Sequence, residues 1–238
     1  MKKFINCSMV RYAKLSLPFD AKAVQNELLS VNEEWQAHFN IAHYQGAWTV
    51  LALRSPSGDH KNIIPELQVH SEYRDTAYME YFPAVKKLVS AINCPVMAVR
   101  FLNLQAGAFI KQHRDNELAF EKGEARLHFP IITNPGVEFY IEDDRILLNE
   151  GECWYINANL PHRVCNQGLI DRIHLVIDCK VNNWLKDVIT SSAEISHKEE
   201  KTDPALLKMM IAQLRGHNTE TAGKMADDME LQLKAAHG

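Results

Sequence analysis

The sequence predicts a mainly β fold with flanking helices, and three observations predict it. Residues 95–104 form an apolar, partly β-branched run of the kind that makes a buried strand. Residues 126–132 and 172–177 alternate between two sets of side chains, the period of a strand with two different faces. Turn-forming clusters at 105–108, 149–152 and 167–168 punctuate these runs.

Taken in order, residues 4–17 read as a strand with flanking coil. Asp20 can cap a helix running to about Asn32, with Val24, Leu28 and Leu29 as its apolar stripe. Residues 46–54 read as a strand, closed by the turn cluster Ser55-Pro56-Ser57-Gly58-Asp59. Residues 63–75 read as irregular. A helix is expected from about Tyr81 to Ile92, with Phe82, Val85, Leu88, Val89 and Ile92 on one side. Residues 95–180 hold the densest strand pattern, and no internal repeat is present. Residues 191–202 are polar and charged, a linker by composition. Asp203-Pro204 then starts a helix, Leu206, Leu207, Met210, Ile211 and Leu214 recur at helical spacing, and a second stripe follows at Ala222, Met225, Met229 and Leu233. The expected organisation is therefore one domain over 1–190 with an N-terminal helical and strand elaboration, a linker at 191–202 and a helical appendage at 203–238. A methionine-bearing stripe is usually packing, so the appendage is expected to dock on the core or on a second copy of the chain, making a homo-oligomer.

Composition fits an enzyme of the cytoplasm. Hydrophobic residues make up 46% of the 238, enough for a sizeable core. A net charge of −4 and the lack of a long basic run argue against a nucleic-acid partner. No stretch of about 18 apolar residues is present to span a membrane, and Met1-Lys2-Lys3-Phe4-Ile5-Asn6 lacks the apolar segment of a signal peptide. Five cysteines without a Cys-x-x-Cys read as reduced thiols, mostly in the core.

The chemistry is concentrated in His113-Arg114-Asp115. On a strand, residues two apart share a face, so an imidazole and a carboxylate would point the same way. The tripeptide alone is weak in a chain with 11 histidines. A second imidazole from a distant strand, His162 after the loop at 157–161, would complete a 2-His-1-carboxylate facial triad, the ligand set of non-haem Fe(II) oxygenases. Such a triad leaves open positions for a 2-oxo acid and O2. Arg172 shares a strand face with His174 and Val176, opposite Ile173, Leu175 and Ile177. A cation on an inner face needs a partner: the far carboxylate of the 2-oxo acid, gripped bidentately, or an acid such as Asp171 or Asp178. Arg126 and His128 share a face opposite Leu127, Phe129 and Ile131, and would point into the same cavity, toward the carboxylate beside the metal or the substrate's own carboxylate. Arg163, Trp154 and Tyr155 could meet a substrate. His38, His43 and the remaining histidines show no constellation and read as surface or core residues.

Residues 81–184 resemble the aspartyl/asparaginyl β-hydroxylase family of Fe(II)/2-oxoglutarate dioxygenases. The matching segments are Gln112-His113-Arg114-Asp115, Arg126-Leu127-His128-Phe129-Pro130, Thr133-Asn134-Pro135, Gly151-Glu152-Cys153-Trp154-Tyr155, Leu160-Pro161-His162-Arg163-Val164 and the run from Asp171 to Asp178. The resemblance extends more loosely to residues 48–54. It implies a double-stranded β-helix core, jelly-roll and cupin-like, over 1–190. It implies His113, Asp115 and His162 on Fe(II) and Arg172 on the distal carboxylate of 2-oxoglutarate, with Arg126 and His128 helping to hold that co-substrate. The chain keeps the carboxylate ligand as Asp115, as bacterial members resembling free-proline hydroxylases do. The implied reaction hydroxylates an unactivated C–H of an amino acid, whether free, peptidyl or carrier-bound, with succinate and CO2 as co-products. The second reading is a cupin-like module that binds a small acid without turnover.

Overall fold

The computed structural model describes residues 8–31, 34–64, 72–199, 204–217 and 219–235. In chain order they form β1 (Ser8–Leu15), α1 (Ala21–Ser30), β2 (Gln36–Ala37), β3 (Tyr44–Gln45), β4 (Trp48–Pro56), β5 (Tyr73–Asp75), α2 (Pro83–Ala91), β6 (Val96–Leu104) and β7 (Phe109–His113). There follow β8 (Glu124–Ile132), β9 (Val137–Ile141), β10 (Asp144–Ile146), β11 (Cys153–Ile156), β12 (His162–Asn166), β13 (Arg172–Lys180), α3 (Asn183–Thr190), β14 (Glu194–Glu199), α4 (Pro204–Gly216) and α5 (Glu220–Ala235). Two sheets result. The large one runs β14-β1-β11-β8-β13-β6-β4-β2, with β5 beside β4, and the small one runs β10-β9-β12-β7-β3. From β1 to β2 and β5 in the large sheet, and throughout the small one, neighbouring strands pair antiparallel. Two facing antiparallel sheets with helices on one outer face make a double-stranded β-helix of the jelly-roll, cupin-like kind.

The large sheet has two chemically different faces because its strands alternate. Leu127, Phe129, Ile131, Leu175 and Ile177 are buried in one apolar cluster with Val24 of α1, Val85 and Leu88 of α2, and Leu185 and Ile189 of α3. Their neighbours Arg126, His128, Arg172, His174 and Asp178 take the opposite face, where Phe139 of the small sheet lies within ring distance of Arg172 and His128. The apolar core thus sits outside the sandwich, under the helices, and a polar chamber sits inside it.

Several sequence expectations shift by a few residues. Asp20 caps α1 by accepting from Ala23 N–H at 3.0 Å, but α1 ends at Ser30. α2 begins at Pro83, a residue with no N–H to lose in a first turn, after a 3₁₀ turn at Ala77–Tyr81. β4 runs on through Ser55 and Pro56 because β5 pairs with them, so the turn starts later than the Ser-Pro cluster suggested. Residues 4–7 of the expected first strand, most of 63–75 and Cys7 lie outside the described residues. The described cysteines are unpaired thiols. The linker expected at 191–202 is corrected: its charged residues include β14 at an edge of the large sheet, where alternate side chains of an edge strand face water and tolerate charge.

The chain divides into two compact units, with Val10–His197 as one. In the other, α4 and α5 pack on each other through Leu207, Ile211 and Ala226, backed by Leu214, Met229 and Leu233. Arg215 also pairs with Asp227 and Glu230. Leu207, Ile211 and Leu214 of the first expected stripe thus meet Met229 and Leu233 of the second, while Leu206, Met210 and Met225 stay exposed. No helix among the described residues is long and apolar enough to cross a membrane.

One buried knot ties the β12–β13 connection, which crosses from the small sheet to the large one and leads to Arg172. Asn166, fully buried, donates to Leu104 O (3.0 Å) and Ile170 O (2.9 Å) and accepts from Asn134 Nδ2 (3.1 Å) and Gly168 N (3.2 Å). Gly168 is required by close approach, since a Cβ there would fall 1.9 Å from Asn134 Oδ1. Asn166→Ala strands several of these groups at once. At about 1–3 kcal/mol per buried unsatisfied group, it should cost about 3 kcal/mol, read as a lower urea midpoint with unchanged slope.

Candidate metal centre and co-substrate chamber

His113 ends β7 and His162 begins β12, and the two are direct register partners across that pair. Their rings lie 4.2 Å apart. Asp115 is not on the strand, as the period-two argument had it. β7 stops at His113, and Asp115 sits in the following loop, anchored by its N–H to Ala158 O at 2.9 Å. The outcome survives because that loop turns back over the strand end: ligand atoms of His113, Asp115 and His162 lie within 4.8 Å of one another.

Both imidazoles are oriented by backbone. His113 Nδ1 lies 2.8 Å from Lys111 O, and His162 Nδ1 lies 3.0 Å from Leu160 O. A carbonyl only accepts, so each Nδ1 carries the proton and each Nε2 presents its lone pair inward. A backbone carbonyl that takes the far ring N–H is the arrangement usual for metal-bound histidine. Sequence reasoning could not find it, because the partner is a main-chain atom two residues upstream in both cases.

A chain of alternating charge crosses three neighbouring strands of the large sheet and ends at the site. Arg100 of β6 meets Asp178 of β13 at 2.6 Å. Arg126 of β8 holds the same Asp178 at 2.7 and 3.2 Å and also grips Asp115. Burial alone would raise the Asp115 pKa, but Arg126 and the two neighbouring imidazoles overturn that and hold it at about 2. The carboxylate is therefore ionised and fixed before any metal arrives. Arg126 is expected to meet either the carboxylate beside the metal or a substrate carboxylate and, by the resemblance, to help hold the co-substrate; it takes the first course. Nε, Nη1 and Nη2 are all engaged by these two acids, so its first task is to support Asp115, and only its remaining N–H groups could reach a co-substrate. Asp178 is likewise spent on Arg100 and Arg126, and Asp171 on Asn103 Nδ2 and Ala106 N. Neither acid pairs with Arg172.

Arg172 is 2% exposed. Burial pushes its pKa down to about 9, with no acid offsetting the loss of hydration. Its Nη2 meets His174 Nδ1 at 2.8 Å, and its Nε has no partner. His128 is buried beside it and held neutral by that burial, with Nδ1 unpartnered. A buried cation without a counter-ion is costly, and its chemistry calls for a carboxylate.

His113, Asp115 and Arg126 line a cavity of about 380 Å³. Its walls include Phe39, Trp48, Ile64 and Leu102, and its polar groups include His38, His43, Arg100 and Arg114. His38 stacks on Trp48 with ring centroids 3.5 Å apart, and His43 lies 5.2 Å from the His113 ring. Both had read as surface or core residues. Nothing in their spacing marks them; the pairing of β3 with β7 and of β4 with β6 brings them there. Gly46 makes the first pairing possible, since a Cβ on it would lie 2.7 Å from that of Ala108. By contrast, Arg163 stacks on Tyr140 at 3.9 Å, Trp154 donates to Glu152, and Tyr155 accepts from Phe120 N–H. None of the three lines this cavity, because each is spent on a local partner.

Burial also makes the site acid-sensitive. Desolvation lowers the pKa of His162 to about 4 and that of His38 to about 3. An unfolded chain takes up these protons below its pKa near 6.5, and the fold refuses them. Stability is thus full above about pH 6.5 and falls as pH drops toward 4. Each histidine contributes up to about 1.4 kcal/mol per pH unit. Asp115 acts only below its unfolded value near 3.8, so it does not offset this loss. His162 and His38 alone should cost the metal-free protein up to about 4 kcal/mol between pH 6.5 and 5, and buried His128 and His174 add in the same direction, seen as a falling urea midpoint. A midpoint flat over that range would contradict the buried neutral pair.

Two inward imidazole lone pairs at strand ends and one ionised carboxylate in the adjoining loop of a double-stranded β-helix match the donor set of metal-dependent oxygenases built on a facial triad. The sequence profile of the aspartyl/asparaginyl β-hydroxylase family matches residues 19–181, and the chain belongs to that family. It is similar to L-proline cis-4-hydroxylase of Rhizobium meliloti, 26% identical over 199 residues, covering 79% of this chain and 70% of the relative. It is also similar to L-proline cis-3-hydroxylase 2 of a Streptomyces species, 26% identical over 153 residues and 63% of this chain, and spans about half (51%) of that relative's length. A Pseudomonas putida prolyl-4-hydroxylase structure is 15% identical over 73% of this chain and 94% of its own, with a TM-score of 0.45. Family and relatives support an enzyme of the 2-oxoglutarate-dependent hydroxylase type.

Proposed function

We propose that the chain is an Fe(II)/2-oxoglutarate-dependent dioxygenase that hydroxylates an unactivated C–H of a free amino acid about the size of proline. The convergence of His113, Asp115 and His162 beside the buried, uncompensated Arg172 carries this reading. The donor set fits Fe(II): two neutral imidazoles and one carboxylate, already deprotonated and already oriented. When bound, iron and 2-oxoglutarate supply the oxidative decarboxylation that yields succinate and CO2 and delivers one oxygen atom of O2 to carbon.

The protein's share is positioning, charge and dryness. His113, Asp115 and His162 hold the metal on one face. Arg126 keeps Asp115 ionised and aimed. Arg172 takes the distal carboxylate of 2-oxoglutarate, and His128, neutral and buried nearby, lies along the path from that end to the metal. The amino acid enters through the cavity walled by Trp48, Phe39 and Leu102, on the side where His38 and His43 stand. Its volume suits a single small residue, and the names of the two curated relatives favour an amino acid of proline's kind.

The test is a screen of free amino acids, L-proline first, for substrate-stimulated succinate release in air. At least one should raise succinate above the substrate-free rate, with a product heavier by one oxygen. If none does, while peptides bearing the same residues do, the free amino acid is the wrong target.

A further inference from the structure

Arg172 does not hold its position alone. Its Nη2 lies 2.8 Å from His174 Nδ1, and the two residues share one face of β13. A guanidinium can only donate, so His174 Nδ1 bears the lone pair and the ring proton sits on Nε2. His174 is 1% exposed, and burial keeps its pKa well below the ordinary value. A neutral ring is what the contact needs, because a protonated one would set two cations against each other. The ring is confined as well: it stands edge-on to His128, with centroids 5.9 Å apart at 76°. Its Nε2–H has no hydrogen-bond partner, so the one polar contact that ties this buried side chain down is the one to Arg172.

A long arginine side chain in a chamber has several rotamers open to it, and no acid fixes this one. An acceptor on Nη2 selects one plane of the guanidinium. It also leaves Nε, which is unpartnered, for an incoming anion. We propose that His174 is a positioning residue for co-substrate binding: it holds the Arg172 guanidinium in the plane that receives the distal carboxylate of the 2-oxo acid. The inference rests on the role given to Arg172 above.

Two variants separate the hydrogen bond from the bulk of the ring. His174→Phe keeps a ring and removes the acceptor, and His174→Asn restores an acceptor oxygen near the place of Nδ1. The measurement is the dissociation constant of 2-oxoglutarate from Mn(II)-loaded protein without oxygen, by calorimetry, beside that of Mn(II) itself. His174→Phe should weaken 2-oxoglutarate about 10–100-fold, the usual scale for losing a supporting contact at a metal site. It should leave Mn(II) affinity nearly unchanged, and His174→Asn should recover most of the loss. Equal weakening by both variants, or equal losses for 2-oxoglutarate and Mn(II), would overturn the inference. A wild-type protein that does not bind 2-oxoglutarate overturns the role of Arg172 and this inference with it. A wild type that binds, next to a His174→Phe that binds equally well, overturns the inference alone. If His174→Phe does not fold, the imidazole ¹⁵N spectrum of the wild type decides: His174 must show a bare Nδ1 and a protonated Nε2, and the reverse tautomer contradicts it.

Discussion

Arg172→Met should raise the 2-oxoglutarate requirement by about tens to thousands-fold, the scale of losing a charged contact worth roughly 2–5 kcal/mol in a desolvated pocket. The amino-acid requirement should change far less, because the cavity beside the metal is lined from β4, β6 and the loops around residues 38–43 and 114–118 rather than by Arg172. The same variant should not lower the stability of the metal-free protein. Arg172 is buried with no acid to offset its charge, and relief of that uncompensated charge offsets the loss of its hydrogen bond to His174. A lower urea midpoint together with equal losses for both ligands would mark Arg172 as an ordinary structural residue. Arg172→Lys should recover only part of the loss, since an ammonium cannot grip a carboxylate with a planar fork.

Arg126→Met should act in the opposite way. Arg126 satisfies Asp178 with two hydrogen bonds and Asp115 with a third, so its removal leaves two acids with less charge compensation. Breaking a buried pair by removing one partner costs about 3–5 kcal/mol, and the midpoint should fall accordingly. Asp115 also loses the cation that holds it ionised, so Fe(II) affinity should drop about 10–100-fold, measured by anaerobic titration. Asp178 keeps Arg100 at 2.6 Å, which limits the damage to the metal end of the chain. An Arg126→Met protein as stable as wild type, with unchanged iron affinity, would show that the alternating charges do no supporting work.

Alternation on β8 and β13 is visible in the residues themselves, and it correctly divides Leu127, Phe129 and Ile131 from Arg126 and His128, and Ile173, Leu175 and Ile177 from Arg172 and His174. That His113, Asp115 and His162 converge was legible mainly through the resemblance that joined them across the chain. Asp115 reached the expected place by a different route, since a loop and an anchoring N–H do what strand period was expected to do. What stayed hidden depends on cross-strand register and main-chain atoms. The carbonyls of Lys111 and Leu160 that set the two imidazole tautomers carry no side-chain signature. The pairing of Asp178 with both Arg100 and Arg126 needs β6, β13 and β8 side by side in known register. His38 and His43 become part of the cavity only when β3 and β4 are placed. Arg163, Trp154 and Tyr155 were over-read, because a suitable residue type near a motif says nothing about a local partner that consumes it. The segment after 191 was under-read, because an edge strand can be as polar as a linker.

The account stands on three side chains closing around one ferrous ion with a 2-oxo acid beside it. Its most direct test is anaerobic addition of Fe(II) and 2-oxoglutarate to the whole chain, followed by visible absorption. One equivalent of iron should produce a weak charge-transfer band that requires both components, and the band should vanish in His162→Ala and in Asp115→Ala. A band unaffected by either substitution, or a wild-type protein that takes up iron without one and forms no succinate in air, would contradict the account.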